Sequence, residues 1–180
     1  FYVDLIHKGH INPGASIEVV KETPTTSCID GHWGFGFVVT EHAMHIAIEK
    51  AKIHNVSAVT VIHQSHIGRL GAYPEMAAKE GMIALITSAG GRGPVKRVIP
   101  FGGRATRFNT NPLSIGVPSD PDTNIVLDMT TSAVAGGKIT LASSRNEQVP
   151  DTWLLDPDGN PTTDPNDYFR EGVMLPLGGD

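Results

Sequence analysis

The stretch VSAVTVIHQSHIGRLGAYPEMAAKEGMIALIT, residues 56–87, decides the predicted fold class. Val56 to His63 is rich in β-branched residues and predicts a buried strand, and Met82 to Thr87 predicts a second one. Between them, a loop leads into a short helix over Ala72 to Glu80, which Gly81 closes as a left-handed cap. This order predicts a βαβ crossover and a mostly parallel core. The predicted fold class is therefore α/β, a mixed and largely parallel sheet flanked by helices.

The elements on either side extend this pattern. Upstream, a short strand over Thr25 to Asp30 and a glycine-rich turn over Gly31 to Gly36 precede a helix whose apolar residues recur at helical spacing from Val38 to His54. The predicted downstream elements are a glycine-rich loop (Ala89 to Pro94), three strands (Val98 to Phe101, Leu113 to Val117, Ile125 to Met129), a helix (Ser132 to about Ser143), and a turn-rich tail (Pro150 to Pro165) with a strong turn signal at Asp158 to Pro161.

The two ends of the chain suggest its domain organisation. We expect residues 1–24 to be an entry segment that connects a helical part, earlier in the protein, to the rest of the chain. We expect residues 25–180 to form one cofactor-binding and catalytic domain. The chain begins at Phe1 without an initiator methionine and stops in the glycine-rich stretch Gly178 to Asp180. We therefore expect both ends to lie inside a longer protein, whose other parts carry part of the active site.

Composition and charge argue against several functional classes. The chain has 180 residues, of which 39% are hydrophobic and 18% charged, and this fits a folded domain better than a disordered chain. Its net charge of -5 would repel a polyanion, so no nucleic-acid partner is expected. No run of about 18 apolar residues occurs, so no membrane span is predicted. Cys28 is the single cysteine, which favours a reducing compartment and predicts a cytoplasmic protein.

The densest polar stretch, Gln64 to Arg69, directly follows the first predicted buried strand. Ligands in open α/β sheets usually bind at this end of the strands, and His66 there suits proton transfer because the ordinary pKa of histidine lies near neutrality. Arg69 would hold a carboxylate bidentately. A structural role, in which His66 satisfies backbone groups at the strand end, explains the spacing equally well, so both interpretations stay open.

Four histidines suggest a different chemistry. His42 and His45 lie three residues apart on a predicted helix, and His63 and His66 share that spacing, so the metal site of a hydrolase is conceivable. The ordinary interpretation is stronger, because the helical pair is expected to face solvent and no acidic residue completes a known ligand spacing. We therefore predict no metal site.

Two further segments carry polar groups suited to a ligand. Asp128 to Ser132 precedes a predicted helix, whose N-terminus would bind an anion such as a pyrophosphate, while Asp128 would accept from a ribose or an amide. Ordinary helix capping by Thr130, Thr131 or Ser132 is the commoner explanation. Asn111, between Thr110 and Pro112, would present its amide to a ligand in an extended conformation, although a plain turn is the simpler interpretation.

Several common signatures are absent from the sequence. No G-x-G-x-x-G pattern follows any predicted strand, and no G-x-x-x-x-G-K-[ST] pattern occurs, so neither an ordinary dinucleotide-binding fold nor a P-loop enzyme is expected. No G-x-S-x-G elbow indicates a serine hydrolase.

Taken together, several segments resemble the malate/L-lactate dehydrogenase family, which comprises NAD(P)-dependent oxidoreductases without a Rossmann fold. Each motif is weak alone, but the ordered set along nearly the whole chain is specific. The matching segments are Asp30 to Gly36, Ser65 to Gly68, Ile99 to Gly103, Thr110 to Pro112, Leu127 to Ser132, Asp158 to Pro165 and Leu175 to Gly179.

The resemblance implies roles for individual residues. His66 matches the histidine that the family uses as acid/base, and Ser88 and Gly90 lie where a contact to NAD or NADP is expected, although the loop Gly91 to Arg97 is longer than in some members. Asn111 is implied as a cofactor or substrate contact. The cofactor segment of the family matches Leu127, Asp128, Met129, Thr130, Thr131, Ser132 and Ala133.

The resemblance also implies a substrate and a partner. Family members interconvert small 2-hydroxy and 2-oxo acids and are typically homodimers. They carry a Ser-His-Gly segment with a carboxylate-binding arginine, which would precede Phe1, and a Lys-Gly pair, which would follow Asp180. Two other functions stay open at this point: a metal-dependent hydrolase built on the histidines, and a fragment that binds a cofactor without catalysis.

Overall fold

The computed structural model describes residues 2–90, 97–120 and 123–178, and these form two compact units. The first unit comprises Phe1–Ile86 with Ser114–Asp128, and the second comprises Thr87–Leu113 with Met129–Asp180. The sequence predicted one boundary after residue 24, and that boundary stays a prediction. The glycine-rich loop predicted from Ala89 to Pro94 lies outside the described residues from Gly91 onwards.

The first sheet of the first unit contains β1, β2 and β3, and α2 packs on it. Its elements are α1 (Tyr2–His7), β1 (Glu18–Glu22), β2 (Thr26–Gly34), α2 (Gly36–His54) and β3 (Ala58–Gln64). Strand β2 pairs antiparallel with β1 and parallel with β3. Ile29 of β2 is fully buried against Val39 and Ala43 of α2, so the predicted strand and helix are confirmed. Strand β3 is also present, but its predicted burial is wrong, because all its residues are exposed or half-buried. The turn predicted over Gly31 to Gly36 is wrong as well, because β2 continues to Gly34.

The second sheet of the first unit follows α3 (Ala72–Lys79) and contains β4 (Ala84–Thr87), β5 (Leu113–Val117) and β6 (Ile125–Met129) in the order β4-β5-β6. The predicted crossover from β3 to β4 within one sheet is wrong. In the described residues β3 lies in the sheet β1-β2-β3, whereas β4 lies in the sheet β4-β5-β6. Tyr73 and Ala77 of α3 are buried in one cluster with Met44 of α2. A buried face of α3 was predictable, but the sequence does not say which helix or strand covers it.

The second unit is built around α4 (Gly136–Arg145), a 3-10 helix (Pro165–Phe169) and a small sheet. The sheet contains β7 (Leu154–Leu155), β8 (Pro161–Thr162) and β9 (Val173–Met174), in the order β8-β7-β9. Its core consists of Val98, Val134, Ile139, Ala142, Val149, Leu154 and Met174. The predicted turn at Asp158 to Pro161 is confirmed by Gly159, which has φ +92°.

Three local predictions fail in places where the chain pairs over a long distance. The predicted strand over Val98 to Phe101 is reduced to isolated bridges of Val98 with Phe108 and Met174. The turn-rich tail predicted over Pro150 to Pro165 holds two strands of the short sheet, β7 and β8. The third failure, the start of α4, bears on the candidate site and is described with it.

A helix that crosses a bilayer must be long and apolar along its whole length. No helix within residues 2–90, 97–120 and 123–178 meets both requirements.

Candidate active site

His66 lies in the loop that directly follows β3, as the sequence predicted. Because β2 and β3 run parallel, their carboxyl ends meet at one edge of the sheet, where Gly34 is the partner of Gln64. Thr40 of α2 donates its hydroxyl proton to a side-chain oxygen of Gln64, with 2.8 Å between the oxygens. The loop of His66 therefore begins at a sheet edge that α2 also contacts.

The start of α2 is packed directly against the backbone of this loop. The Ser65 hydroxyl donates to the carbonyl oxygen of Gly34 at 2.8 Å and accepts from the backbone N–H of Gly36 at 2.9 Å. A Cβ atom at Gly36 would lie 2.7 Å from the carbonyl oxygen of His66, closer than real Cβ atoms come to any such atom. Only glycine fits at this first position of α2.

The imidazole of His66 contacts the ring of Tyr2, which in turn packs against two phenylalanines. We call Tyr2, Phe35 and Phe37 the aromatic cluster. The Tyr2 ring lies 5.9 Å from the Phe37 ring, and Phe35 and Phe37 lie 5.2 Å apart between centroids. The Tyr2 hydroxyl oxygen is 2.8 Å from Nδ1 of His66. The imidazole therefore has a hydrogen-bonding partner on one nitrogen and an aromatic neighbour.

The pKa of His66 follows from this surrounding. The residue is exposed at the surface, yet the protein around its ring removes enough water to lower the pKa below the ordinary value of 6.5. At neutral pH the imidazole is thus uncharged and has a nitrogen lone pair with which to take up a proton. A perturbed pKa at a strand end is typical of functional histidines, although structural contacts also cause such shifts.

His63 has a different environment from His66. Its Nδ1 lies 2.9 Å from Oδ2 of Asp30, and its ring lies 5.4 Å from the Trp33 ring. Hydrogen bonds from His63 and from the backbone N–H of His32 lower the pKa of Asp30. Among the described residues, no group of three histidine, cysteine or acidic side chains is arranged to hold a metal ion.

Arg69 and Asp128 each bind a protein group in the first unit. The Arg69 guanidinium lies 2.9 Å from a carboxylate oxygen of Glu75, rather than being held open for a substrate. The carboxylate of Asp128 accepts the backbone N–H of Gly71 at 2.8 Å, just before α3 begins. The Leu127 carbonyl accepts the Ser114 hydroxyl at 2.5 Å. The predicted cofactor contacts of Leu127 and Asp128 stay predictions.

In the second unit, several predicted cofactor residues lie around the segment Thr110 to Pro112. The backbone N–H of Thr131 donates to the Thr110 carbonyl at 2.9 Å, and its hydroxyl donates to the Asn111 carbonyl at 3.0 Å. The backbone N–H of Ser88 donates to the Pro112 carbonyl at 3.2 Å. The structure thus brings Ser88, Asn111 and Thr131 together. Gly90 joins them, since its carbonyl accepts from the Asn109 amide at 3.0 Å.

The segment from Met129 to Ala133 does not start a helix. Helix α4 begins at Gly136, and Ala135 before it makes no side-chain cap, so the predicted anion site at a helix N-terminus and the predicted capping are both wrong. The reason is long-range pairing: Ser132 forms a bridge with Pro176, and the Ala133 N–H donates to the Leu175 carbonyl at 2.8 Å. This pairing connects the segment to residues near Pro176 instead of to a helical turn.

The side-chain hydroxyls of this segment are also engaged. Thr130 donates to the Ser132 carbonyl at 2.8 Å, and Ser132 donates to the Val134 carbonyl at 2.7 Å. By contrast, the side chains of Ser88 and Asn111 make no hydrogen bond to any described residue. Asn111 has φ +35°. Among the predicted cofactor residues of the second unit, these two polar side chains therefore have hydrogen-bonding capacity that no described residue uses.

Sequence reasoning missed Tyr2 as a neighbour of His66, and Phe35 and Phe37 as neighbours of Tyr2. Only 6% of the residues are aromatic, so aromatic residues at positions 2, 35 and 37 were a usable signal. The pattern alone, however, gave no reason to place the first of them against the histidine loop.

The sequence of this chain is similar to those of known dehydrogenases. The family model described as malate/L-lactate dehydrogenase matches residues 1–180. A malate/(S)-sulfolactate dehydrogenase of Methanothermus fervidus is 39% identical over 178 residues, which are 99% of this chain and 51% of that protein. An L-lactate dehydrogenase of Cupriavidus necator is 39% identical over 176 residues, which are 95% of this chain and 50% of that protein.

Solved structures give the same result. Malate dehydrogenase from Entamoeba histolytica superposes with a TM-score of 0.92 at 34% identity, covering 99% of this chain and 50% of that one. Delta1-piperideine-2-carboxylate reductase from Pseudomonas syringae gives a TM-score of 0.88 at 28% identity, covering 99% of this chain and 52% of that one.

The predicted mixed α/β class is confirmed, and both solved structures share this fold. The chain belongs to the malate/L-lactate dehydrogenase family. It spans about half the length of the relatives it matches.

Proposed function

We propose that this chain is the main part of an oxidoreductase that uses NAD or NADP to interconvert a small 2-hydroxy acid and its 2-oxo acid. The observation that carries the proposal is the position of His66 directly after β3, with its Nδ1 2.8 Å from the Tyr2 hydroxyl and its pKa lowered by burial. Family membership supports the reaction class, since relatives are named as malate, lactate and sulfolactate dehydrogenases.

His66 acts as the acid/base in this proposal. In the oxidation direction, the hydroxyl proton of the substrate passes to His66 while the hydrogen on C2 leaves as hydride with its electron pair. The chemistry that a nicotinamide supplies when bound is uptake or release of that hydride. Because burial lowers the pKa of His66, the imidazole is ready to take up the proton at neutral pH. General-base catalysis of this kind contributes about 10²–10⁴-fold in rate.

The second unit supplies the cofactor contacts in this proposal. Asn111 and Ser88 carry side-chain groups that no described residue engages, and amides and hydroxyls are suited to the polar groups of a dinucleotide. The remaining proposed contacts are Gly90, Met129, Thr130, Thr131, Ser132 and Ala133, with Leu127 and Asp128 in the first unit.

A cytoplasmic homodimer completes the proposal. Apolar side chains on the outer strands of the second sheet support a covered surface, since Leu85 of β4 is 63% exposed and Ile125 of β6 also 63% exposed. A surface of this kind usually contacts another protein surface, either from a second copy or from the rest of the same protein.

The test is a substitution of His66 in the full-length protein that carries this chain. His66→Ala should lower kcat at least about 10²-fold with malate, lactate and sulfolactate, while NADH or NADPH fluorescence still reports binding. His54→Ala, which alters an exposed histidine at the end of α2, is the matched control and should keep full activity. Normal turnover by His66→Ala would refute the assignment.

A further inference from the structure

Three arginines of the second unit line one cavity of about 370 Å³, which we call the arginine cavity. They are Arg97, Arg104 and Arg107. Among the described residues that line this cavity, Glu171 is the one acidic residue, so the lining has three positive side chains and one negative one. The whole chain, by contrast, has a net charge of -5. The arginine cavity is therefore a local concentration of positive charge on an acidic protein.

Long-range backbone pairing brings these residues to one place. Val98 forms a bridge with Phe108, and the backbone N–H of Arg107 donates to the Val98 carbonyl at 3.0 Å. The carbonyl of Arg97 accepts from the backbone N–H of Met174 at 2.8 Å, which brings the segment before β9 alongside. The positive charges are thus gathered by the fold and not by a run of basic residues in the sequence.

The guanidinium groups contact uncharged protein groups. Arg97 donates to the Tyr168 carbonyl at 3.1 Å, and its Cζ lies 5.0 Å from the centroid of the Tyr168 ring. Arg107 donates to the Thr106 carbonyl at 3.2 Å. Among the residues that the structure describes, no acidic side chain forms an ion pair with any arginine of this cavity. Their charge is therefore not neutralised by the described residues.

A second cavity, lined mainly by apolar residues, shares Arg104 with the first. It measures about 550 Å³, and its lining includes Ile99, Pro100 and Phe101. Phe101 is 74% exposed, so its ring is available for a contact. Both volumes lie in the range of about 300–1,000 Å³ that is typical of small-molecule sites. The two cavities together offer a cationic part and an apolar part that meet at Arg104.

The charge of the arginine cavity is better matched to a phosphate group than to a carboxylate. A carboxylate has one negative charge, and a single arginine binds it bidentately. A phosphate monoester has a charge of about -1.5 to -2 at neutral pH and three acceptor oxygens. The planar guanidinium group, with its five donors, is the side chain best suited to such an anion.

We propose that these two cavities form a binding site for a phosphate monoester, whose phosphate group binds to Arg97, Arg104 and Arg107 and whose carbon skeleton packs on Phe101. The phosphate belongs either to a separate phosphorylated compound or to the additional phosphate of NADP. Residues of the second unit alone form the site, and its phosphate binding does not depend on the proposed role of His66.

The experiment is a calorimetric titration of phenyl phosphate into the full-length protein that carries this chain, in a buffer without phosphate or sulfate. We expect saturable binding, about 10-fold tighter than that of inorganic phosphate, because the ring adds apolar contact. Arg104→Gln and Arg107→Gln should each raise the Kd for phenyl phosphate about 10-fold, since each removes a charge-assisted contact. Arg145→Gln, which alters an exposed arginine at the end of α4, is the matched control and should leave the Kd unchanged.

A second titration needs no variant, so poor folding of a substituted protein leaves the test intact. Phenylacetate has an apolar ring and a single negative charge. It should bind to the unsubstituted protein at least about 10-fold more weakly than phenyl phosphate, because its carboxylate uses only one of the arginines.

Binding of the cofactors distinguishes the two sources of the phosphate. If the phosphate belongs to NADP, NADPH displaces phenyl phosphate, and Arg107→Gln weakens the binding of NADPH but not of NADH. If it belongs to a separate compound, phenyl phosphate binds equally well to protein saturated with NADPH, and Arg107→Gln changes the Kd of neither cofactor. Both results support a phosphate monoester site.

Four results would overturn the inference: no saturable binding of phenyl phosphate, equal binding of phenylacetate, an unchanged Kd in both Arg104→Gln and Arg107→Gln, or an equal loss in Arg145→Gln. The last of these would show that general charge attraction, and not this cavity, binds the phosphate. Failure of the proposed function has a different signature, since His66→Ala would then retain its activity whether or not phenyl phosphate binds.

Discussion

Replacing Gly36 by alanine tests whether the close contact between α2 and the His66 loop sets the stability of this region. The added Cβ would lie 2.7 Å from the carbonyl oxygen of His66 and 2.8 Å from its carbonyl carbon. Both are backbone atoms, so no side-chain rotation can relieve the overlap. The loop, the helix start, or both must shift.

The magnitude follows from two opposing effects. Alanine is favoured over glycine in a helix by up to about 1 kcal/mol. Overpacking against fixed atoms costs about 1–3 kcal/mol, and a backbone neighbour places this case at the upper end. We therefore expect a net loss of about 2 kcal/mol, which for a chain of this size lowers Tm by about 4–8 °C.

Gly137→Ala is the matched control, because Gly137 also lies in the first turn of a helix but a Cβ there would meet nothing within 4 Å. That variant should be stabilised by about 0.5–1 kcal/mol. Both variants would be compared by thermal and urea unfolding followed by circular dichroism. Equal stability of the two variants would refute the reasoning, since the close contact would then have no energetic consequence.

Three further predictions concern the protonation of His66, the Asp128 carboxylate that accepts from a backbone N–H, and the cofactor segment. Because burial lowers the pKa of His66 below 6.5, the decline of kcat/KM for oxidation at low pH should have its midpoint below pH 6.5; a midpoint above 6.5 would contradict the assignment. In the same window the folded chain binds fewer protons than the unfolded one, so the contribution of His66 to stability is present above 6.5 and lost as the pH falls through the folded value. Asp128→Ala should cost about 1–2 kcal/mol in urea unfolding, because the buried Gly71 N–H loses its acceptor, and an unchanged midpoint would show that water replaces the carboxylate. Thr131→Val should weaken NADH binding about fivefold by releasing the Thr110 to Pro112 segment, whereas Thr140→Val, on the exposed face of α4, should leave the Kd unchanged.

Elements with strong local signals were predictable from the sequence. The apolar spacing of α2 and the β-branched run of β3 placed both within two residues of their observed bounds. Gly81 closes α3 with φ +75°, as a left-handed cap requires. Each of these features depends on residues that are close in sequence.

Long-range partners were not predictable in the same way. β-branched residues predicted β4 but not its pairing with β5, and hydroxyl residues before α4 suggested a cap where the chain pairs with residues near Pro176. His66 was found at the predicted strand end, but Tyr2 lies far from it in sequence, and no periodicity connects them. Asp128 was predicted as a ligand contact, and its observed hydrogen bond goes to Gly71.

The composition of the two units has a consequence for synthesis and truncation. The first unit consists of two separate stretches of chain, because β5 and β6 are encoded after residues 87–113 of the second unit. During translation, β4 emerges from the ribosome before β5, the strand that pairs with it. The hydrogen-bonding groups at the edge of β4 therefore stay unpaired until the intervening residues have been made. A chain cut after Ile86 would retain His66 and Tyr2 but would end with β4 lacking its partner. Such a fragment would expose an unpaired strand edge and would be prone to aggregate.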